Sequence, residues 1–224
     1  GDKPSRRRGY SKEYATMDFK QVITYVICVI GGFLLGSVQF CRIIPHAIKK
    51  VDVCALSDDG NPGAANAFKF CGILIGSVCL ALDILKGFAP VFLAIAFLPI
   101  NNAFFSLVMF APVLGHAVGI FNDFNGGKCI ATSFGVVLAT LFVTWIGVIL
   151  AVTYIIVAGL FKTEHRSGSI ITFSIFAVSA FVAGFIVGMP FVGIGFLIIS
   201  VTAIIKHLPK NKSDEPADDI SVVA

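Results

Sequence analysis

Charge is what this 224-residue chain has least of: 13% of its residues are Asp, Glu, Lys or Arg, about half the share of an average soluble domain. With 57% hydrophobic residues and a mean hydropathy of +0.91, that shortage excludes a soluble domain. The net charge of +4 is too small for a nucleic-acid footprint and is read loop by loop instead. No Cys-x-x-Cys pair occurs among Cys28, Cys41, Cys54, Cys71, Cys79 and Cys129. Most lie in or beside apolar runs, where cysteine behaves as a small hydrophobe, so neither a metal site nor a disulfide framework is expected. Cys129 reads as the one exposed enough to react. Two enzyme signatures are also missing. None of the four histidines has an aspartate five positions on, which removes the His-x4-Asp acyltransferase pattern. The Walker A pattern fails because Asn122 stands where its first glycine would be and Cys129 where its Ser or Thr would be.

Apolar runs are abundant. They recur near the length of a membrane span, about 20 residues, along the whole chain. The pattern predicts an all-α polytopic membrane protein of about seven spans: 22–44, 71–97, 104–121, 129–140, 141–161, 169–187 and 191–205. The fourth and fifth have almost no polar break between them, so six is the alternative count. Positive charge alternates between the connections. The first loop has Lys49, Lys50 and Lys69 with Arg42 just before it; the third has Lys128; the fifth has Lys162 and Arg166. The tail has Lys206, Lys210 and Lys212, while the second, fourth and sixth loops have no lysine or arginine. Positive charge marks the cytoplasmic side, which puts the odd loops and the tail in the cytoplasm and the N-terminus outside. Arg6, Arg7 and Arg8 argue the other way; the conflict disappears if Met17 is the true start. Residues 1–16 are accordingly set apart as a cloning remnant or mis-called start, 17–209 as the membrane domain, and 210–224 as a flexible charged tail.

Two glycine-rich stretches interrupt the apolar background on the cytoplasmic side. The first, 56–69, holds Asp58, Asp59, Gly60, Asn61, Pro62, Gly63, Asn66 and Lys69. Its glycines and proline suit a loop, small residues let backbone N–H groups approach a ligand, and the lysine adds a cation: the chemistry of a phosphate-binding loop, or of a solvated turn. The second runs from Asn122 to Lys128 straight into the fourth span, so Gly126, Gly127 and Lys128 sit at a helix N-terminus suited to an anion. Inside the spans, His116 is a functional candidate or a hydrogen-bonded core histidine. Asp83 and Lys86, three residues apart on one helix face, read as a buried pair that neutralises itself.

In order, Gly36-Ser37-Val38, Gly60-Asn61-x-Gly63-Ala64-x-Asn66, Leu82-Asp83-Ile84-Leu85-Lys86-Gly87, Gly115-His116 and Gly126-Gly127-Lys128-x-Ile130-Ala131-Thr132 resemble the acyl-phosphate-dependent glycerol-3-phosphate acyltransferases of bacterial membranes (the PlsY type), over roughly residues 31–207. The resemblance implies a seven-helix fold with a cytoplasmic active site. It implies acyl transfer from acyl phosphate to glycerol 3-phosphate, giving lysophosphatidic acid and phosphate, with no metal or organic cofactor. The partners it implies are the two substrates and the bilayer, with no nucleic acid and no obligate protein partner. The catalytic candidates are His116, Lys128 and His207, which match the family's motifs, and Asp59, which departs from them but could take a proton. Substrate-binding candidates are Ser37, Gly60, Asn61, Gly63, Asn66, Lys69, Gly126, Gly127 and Thr132. Lys69, Lys128 and loop N–H groups would hold phosphate; Asp59, His116, His207 or a donor phosphate oxygen would accept the acceptor's proton.

The chain departs from the family pattern at particular places. Asp59 replaces a serine expected to contact phosphate, Ala65 a threonine, Lys69 an arginine and Cys129 a glycine. The residue before the second glycine loop's first glycine is Asn125 instead of lysine, and Lys210 stands where an asparagine is expected, with Asn211 one place off. Of the roles open to Asp59, pairing with Lys69 is favoured, because a lysine lacks the rigid fork of arginine and gains most from an orienting partner. The rival class is a non-catalytic binder or transporter of a phosphorylated solute, which would more often show repeated halves.

Overall fold

The computed structural model describes residues 17–160 and 165–208. The expected extension 1–16 and tail 210–224 lie outside the described residues, as do Lys162, Lys210, Asn211 and Lys212. Among the described residues every regular element is an α-helix: α1 (Phe19–Ser37), α2 (Phe40–Lys49), α3 (Val53–Leu56), α4 (Ala64–Cys71), α5 (Ile73–Phe97), α6 (Ala103–Val118), α7 (Ile130–Thr140), α8 (Val148–Leu160), α9 (His165–Ile186) and α10 (Pro190–His207). Four of these, α1, α5, α9 and α10, are long and apolar enough to cross a membrane; α6, α7 and α8 are apolar but shorter. Large side chains such as Ile73, Phe97, Ile155, Val178 and Ile186 face outward, as lipid contact requires and water does not favour.

Small residues bring the helices together. A Cβ on Gly36 of α1 would overlap the Pro112 carbonyl of α6, and one on Gly115 of α6 would overlap the Phe33 carbonyl of α1. The same reciprocal fit joins α5 to α7: a Cβ on Gly87 would meet the Thr132 carbonyl, and one on Gly135 the Ile84 carbonyl. Lipid tails are as apolar as leucine, so close backbone approach and the dispersion it allows hold such helices together. Behind these seams, α6, α9 and α10 enclose an aromatic core including Phe105, Met109, Phe173, Phe176 and Phe196.

The first expected span, 22–44, is not continuous. α1 stops at Ser37, the chain crosses Val38 and Gln39 in a non-helical conformation, and α2 begins at Phe40. Buried polar groups satisfy the break. Lys86 Nζ donates to the Val38 carbonyl at 2.6 Å, and Gln39 Nε2 donates to the His116 carbonyl at 3.0 Å. The first polar stretch is not all loop either. Asp52 caps α3 by accepting the N–H groups of Cys54 and Ala55, and Gly63 is the N-cap of α4, so Asn66 and Lys69 lie on a helix and the open loop is 57–63. A satellite core of Cys41, Val53, Ala67, Cys71, Ile75 and Cys79 anchors α2, α3 and α4 onto α5.

The two ends of the bundle carry different contacts. At one end Tyr25 Oη donates to the Pro99 carbonyl and Ser106 Oγ to the Phe191 carbonyl. At the other the first and third loops meet. Asn125 Nδ2 donates to the Gly60 carbonyl at 3.3 Å, and Lys128 Nζ donates to Asp59 Oδ2 at 2.6 Å. The end of α10 joins them there through Lys206 Nζ, 2.9 Å from the Ala117 carbonyl.

Candidate active site

Each half of the loop pair is shaped by its own sequence. In the first, Asp59 Oδ1 accepts the Asn61 N–H at 3.2 Å and the Asn66 amide at 3.1 Å, and Asn66 Nδ2 also reaches the Asn61 carbonyl at 2.9 Å. An aspartate bonding to the backbone two residues on is a local turn former, and Gly60 (φ 59°) supplies the left-handed residue inside that turn. In the second, the chain reverses through Gly119 (φ 65°), and the Gly127 N–H donates to the His116 carbonyl at 2.9 Å. A Cβ at Gly126 would strike the carbonyls of His116 and Ala117, and one at Gly127 would strike the His116 ring. These two glycines therefore let the loop lie directly on His116.

Between α4, α5, α7 and α8 lies a cavity of about 430 Å³. Asn61, Gly63, His116, Lys128 and Asp83 line its polar part; Phe68, Leu80, Ile84, Phe134 and Tyr154 make the remainder largely apolar. Ile130 and Ala131 also line it, so the first turn of α7, whose N–H groups have no intrahelical partners, faces the same space. His116 is buried, and among the described residues its Nδ1 has no hydrogen-bond partner. Beneath the cavity, Lys86 Nζ lies 2.7 Å from Asp83 Oδ1, and Asp83 Oδ2 accepts the Cys41 thiol at 3.1 Å: the self-neutralising pair expected from the i, i+3 spacing. Among the described residues no group of three or more His, Cys, Asp and Glu converges to hold a metal ion.

The remaining sequence candidates surround this cavity or lie apart from its lining. Asp59, Gly60 and Asn66 form the turn behind Asn61 and Gly63, while Gly126 and Gly127 pack on His116. Ser37 is fully buried with its Oγ donating to the Phe33 carbonyl inside α1. Thr132 is buried against Gly87 at the α5–α7 seam. His207 is buried at the end of α10, its Nδ1 2.7 Å from the Ala203 carbonyl and its own carbonyl accepting from Arg166 Nε at 2.7 Å. Two expectations are corrected. Asp59 pairs with Lys128; Lys69 instead lies 3.9 Å from Asp58, with both side chains largely exposed. Cys129 is only 1% exposed, its Sγ 3.6 Å from the carbonyls of Val113 and Gly127, so it is not the accessible thiol its loop position suggested. It takes φ 67°, the left-handed region in which a glycine is least strained.

The Asp59 carboxyl is shifted by opposing effects. Burial raises it, but hydrogen bonds from the Lys128 ammonium, the Asn66 amide and the Asn61 N–H outweigh that, together with the Lys128 charge, and hold it at about 2, below its ordinary 3.8. A carboxylate so stabilised is a weak base. The cavity wall was not singled out from sequence, because nothing in the spacing of Phe68, Leu80, Phe134 and Tyr154 sets them apart from the other apolar residues of the helices. Gln39 was also missed; a neutral amide inside an apolar run was the available signal.

The pocket is thus floored by a buried ion pair, rimmed by two glycine loops and walled in part by Phe68, Phe134 and Tyr154. The profile of glycerol-3-phosphate acyltransferases matches residues 26–213. The chain belongs to that family. Glycerol-3-phosphate acyltransferase 2 of Thermotoga maritima is 35% identical over 180 residues, covering 80% of this chain and 86% of the relative. The Aquifex aeolicus glycerol-3-phosphate acyltransferase is 33% identical over 184 residues, covering 79% and 87%. The crystal structure of PlsY (YgiH), an integral membrane glycerol 3-phosphate acyltransferase, in its glycerol 3-phosphate form superposes with a TM-score of 0.71 at 31% identity, over 82% of this chain and 88% of that one. Its lysophosphatidic acid form gives 0.68 at 30% identity, with the same coverage. This glycerol-3-phosphate acyltransferase family member is thus a membrane enzyme of the acyltransferase class.

Proposed function

We propose that the chain transfers an acyl group from acyl phosphate to glycerol 3-phosphate, giving lysophosphatidic acid and inorganic phosphate, at the cytoplasmic face of the cell membrane. The observation that carries this reading is the two-natured cavity. Lys128, Asn61 and His116 stand at the polar part, and Phe68, Leu80, Ile84 and Phe134 line a wall fit for an acyl chain. The acceptor hydroxyl attacks the acyl carbonyl carbon, a new C–O ester bond forms, and the bond to the phosphate oxygen breaks with phosphate leaving. Because acyl phosphate carries its own leaving group, no covalent intermediate is required, and the protein's contribution is positioning and charge stabilisation. Lys128 and the free N–H groups at the start of α7 face the departing phosphate. The proton of the hydroxyl goes to His116, whose Nδ1 has no hydrogen-bond partner among the described residues, or to a phosphate oxygen.

Residues 17–209 are assigned to the membrane acyltransferase domain, and the side carrying Lys49, Lys50, Lys128 and Lys206 to the cytoplasm. Labelling of Asp58→Cys by a membrane-impermeant maleimide in inverted, but not right-side-out, vesicles is expected; the opposite result reverses the orientation. The activity test is purified protein in detergent with acyl phosphate and glycerol 3-phosphate, assayed for lysophosphatidic acid. Formation of product is expected, and its absence with a folded protein overturns the assignment.

A further inference from the structure

The three donors gathered by the first and third loops already hold an anion, and it belongs to the protein. The Lys128 ammonium, the Asn66 amide and the Asn61 N–H converge on the single carboxylate of Asp59, at 2.6, 3.1 and 3.2 Å. A carboxylate and a phosphate present similar oxygens to such donors, and Lys128 and Asn61 also line the cavity. We infer that Asp59 is a built-in competitor for the phosphate of the acceptor: it occupies Lys128 when the site is empty and must yield it when a phosphorylated substrate binds. This rests on the function proposed above and refines it, making Asp59 the residue that sets how weakly the site holds phosphate.

Charge bookkeeping gives the direction. Asp58 with Lys69 and Asp59 with Lys128 form two neutral pairs, and the exposed Asp123 of the third loop adds one negative charge. Neutralising Asp59 removes one negative charge from this corner and frees Lys128 for a ligand. Other families of donor would not read this way. A turn-forming aspartate alone would bond only to its own loop, whereas here its second oxygen reaches 69 residues along the chain. The site beside it also contains a buried ring nitrogen, His116 Nδ1, with no hydrogen-bond partner among the described residues.

The test uses the full chain in detergent micelles with glycerol 3-phosphate and, separately, inorganic phosphate, measured by calorimetry for Asp59→Asn, Asp59→Ser and Lys128→Ala. Asparagine keeps the turn hydrogen bonds, and serine provides a second, smaller neutral residue should asparagine disturb the loop. The expected result is that both Asp59 variants lower the Kd for both anions about threefold to fivefold, equivalent to roughly 0.7–1 kcal/mol, while Lys128→Ala weakens binding. In turnover, KM for glycerol 3-phosphate falls in the Asp59 variants by a similar factor while that for acyl phosphate moves less. Unchanged or weaker phosphate binding in both Asp59 variants, with Lys128→Ala still damaging, overturns the competitor role and leaves the acyltransferase reading intact. Failure of wild type and all variants to bind either anion overturns both.

Discussion

Lys86→Met should be the most damaging single change outside the loops. The ammonium is fully buried and its partner carboxylate 2% exposed, with Asp83 Oδ1 at 2.7 Å, the Val38 carbonyl at 2.6 Å and the Phe40 ring centroid 5.6 Å away. Methionine keeps the packing but strands two acceptors. Breaking a buried ion pair by removing one partner costs about 3–5 kcal/mol, and an orphaned buried carbonyl about 1–3 kcal/mol; the two overlap, so a total of about 3–5 kcal/mol is expected. The change at the carbonyl also reaches the site, because Val38 precedes Gln39, whose amide holds the His116 carbonyl at 3.0 Å. The assay is a double-mutant cycle by thermal unfolding in detergent. Lys86→Met alone should lower Tm by roughly 10 °C for a chain of this size. The double variant Asp83→Asn/Lys86→Met removes the stranded charge, leaves the carbonyl cost, and should recover about half of the loss. Should the double variant be no more stable than Lys86→Met, the carboxylate was not the source of the cost and the reasoning fails.

Lys128→Ala should abolish lysophosphatidic acid formation while the protein still inserts and elutes as a folded species; normal turnover in the folded variant would take Lys128 out of the site. Replacing Cys129 should reverse the usual preference of alanine over glycine. At φ 67° alanine retains a left-handed strain of about 1 kcal/mol that glycine does not, so Cys129→Gly should unfold at a higher temperature than Cys129→Ala, and equal Tm values would show the strain to be negligible. The Asp59 carboxyl, held at about 2 against an ordinary 3.8, contributes stability that is fully present above about pH 4 and is lost as pH falls through 2. Wild type and Asp59→Asn should therefore share the same acidic limb of the activity profile between pH 5 and 7, and a limb displaced in the variant would show that Asp59 titrates in the working range.

Hydropathy made the long helices legible because a span must satisfy its backbone internally and face lipid outside. It did not show the break between α1 and α2, since the apolar run continues through Phe40, Ile43 and Ile44; Gln39, Arg42 and Pro45 were the signs of a change. Polar composition likewise concealed α4, whose first residue follows a glycine cap and whose burial depends on Ala67 and Cys71 meeting α5. The candidate site was legible as two glycine-rich motifs, which the fold brings to one end of the bundle, but not as a set of partners. The loss of arginine's rigid fork at Lys69, ten residues on, pointed to that lysine as the partner of Asp59; the lysine it meets, Lys128, is 69 residues on, and nothing in the sequence joins the two. Only the packing of α7 against α5, which brings the third loop over the first, decides between them.

That packing also separates what is fixed in the site from what can give way. α5 and α7 meet through Gly87 and Gly135 with backbone against side-chain-free backbone, and the cavity floor is a buried pair, so neither helix shifts without clashes or an exposed charge. The loops above are joined more lightly. The Asp59–Lys128 pair has side chains 41% and 24% exposed, a class worth about 0.2–1 kcal/mol, and the Asn125–Gly60 hydrogen bond adds about 0.5–1.5 kcal/mol. Those links are weaker than a single buried contact beneath them. A phosphorylated acceptor can therefore part the 57–63 loop from Lys128 at small cost, with the helices that hold His116 and the apolar wall left in place. On this account the entry of the water-soluble substrate is a local exchange of one anion for another, and the acyl chain meets a wall already formed.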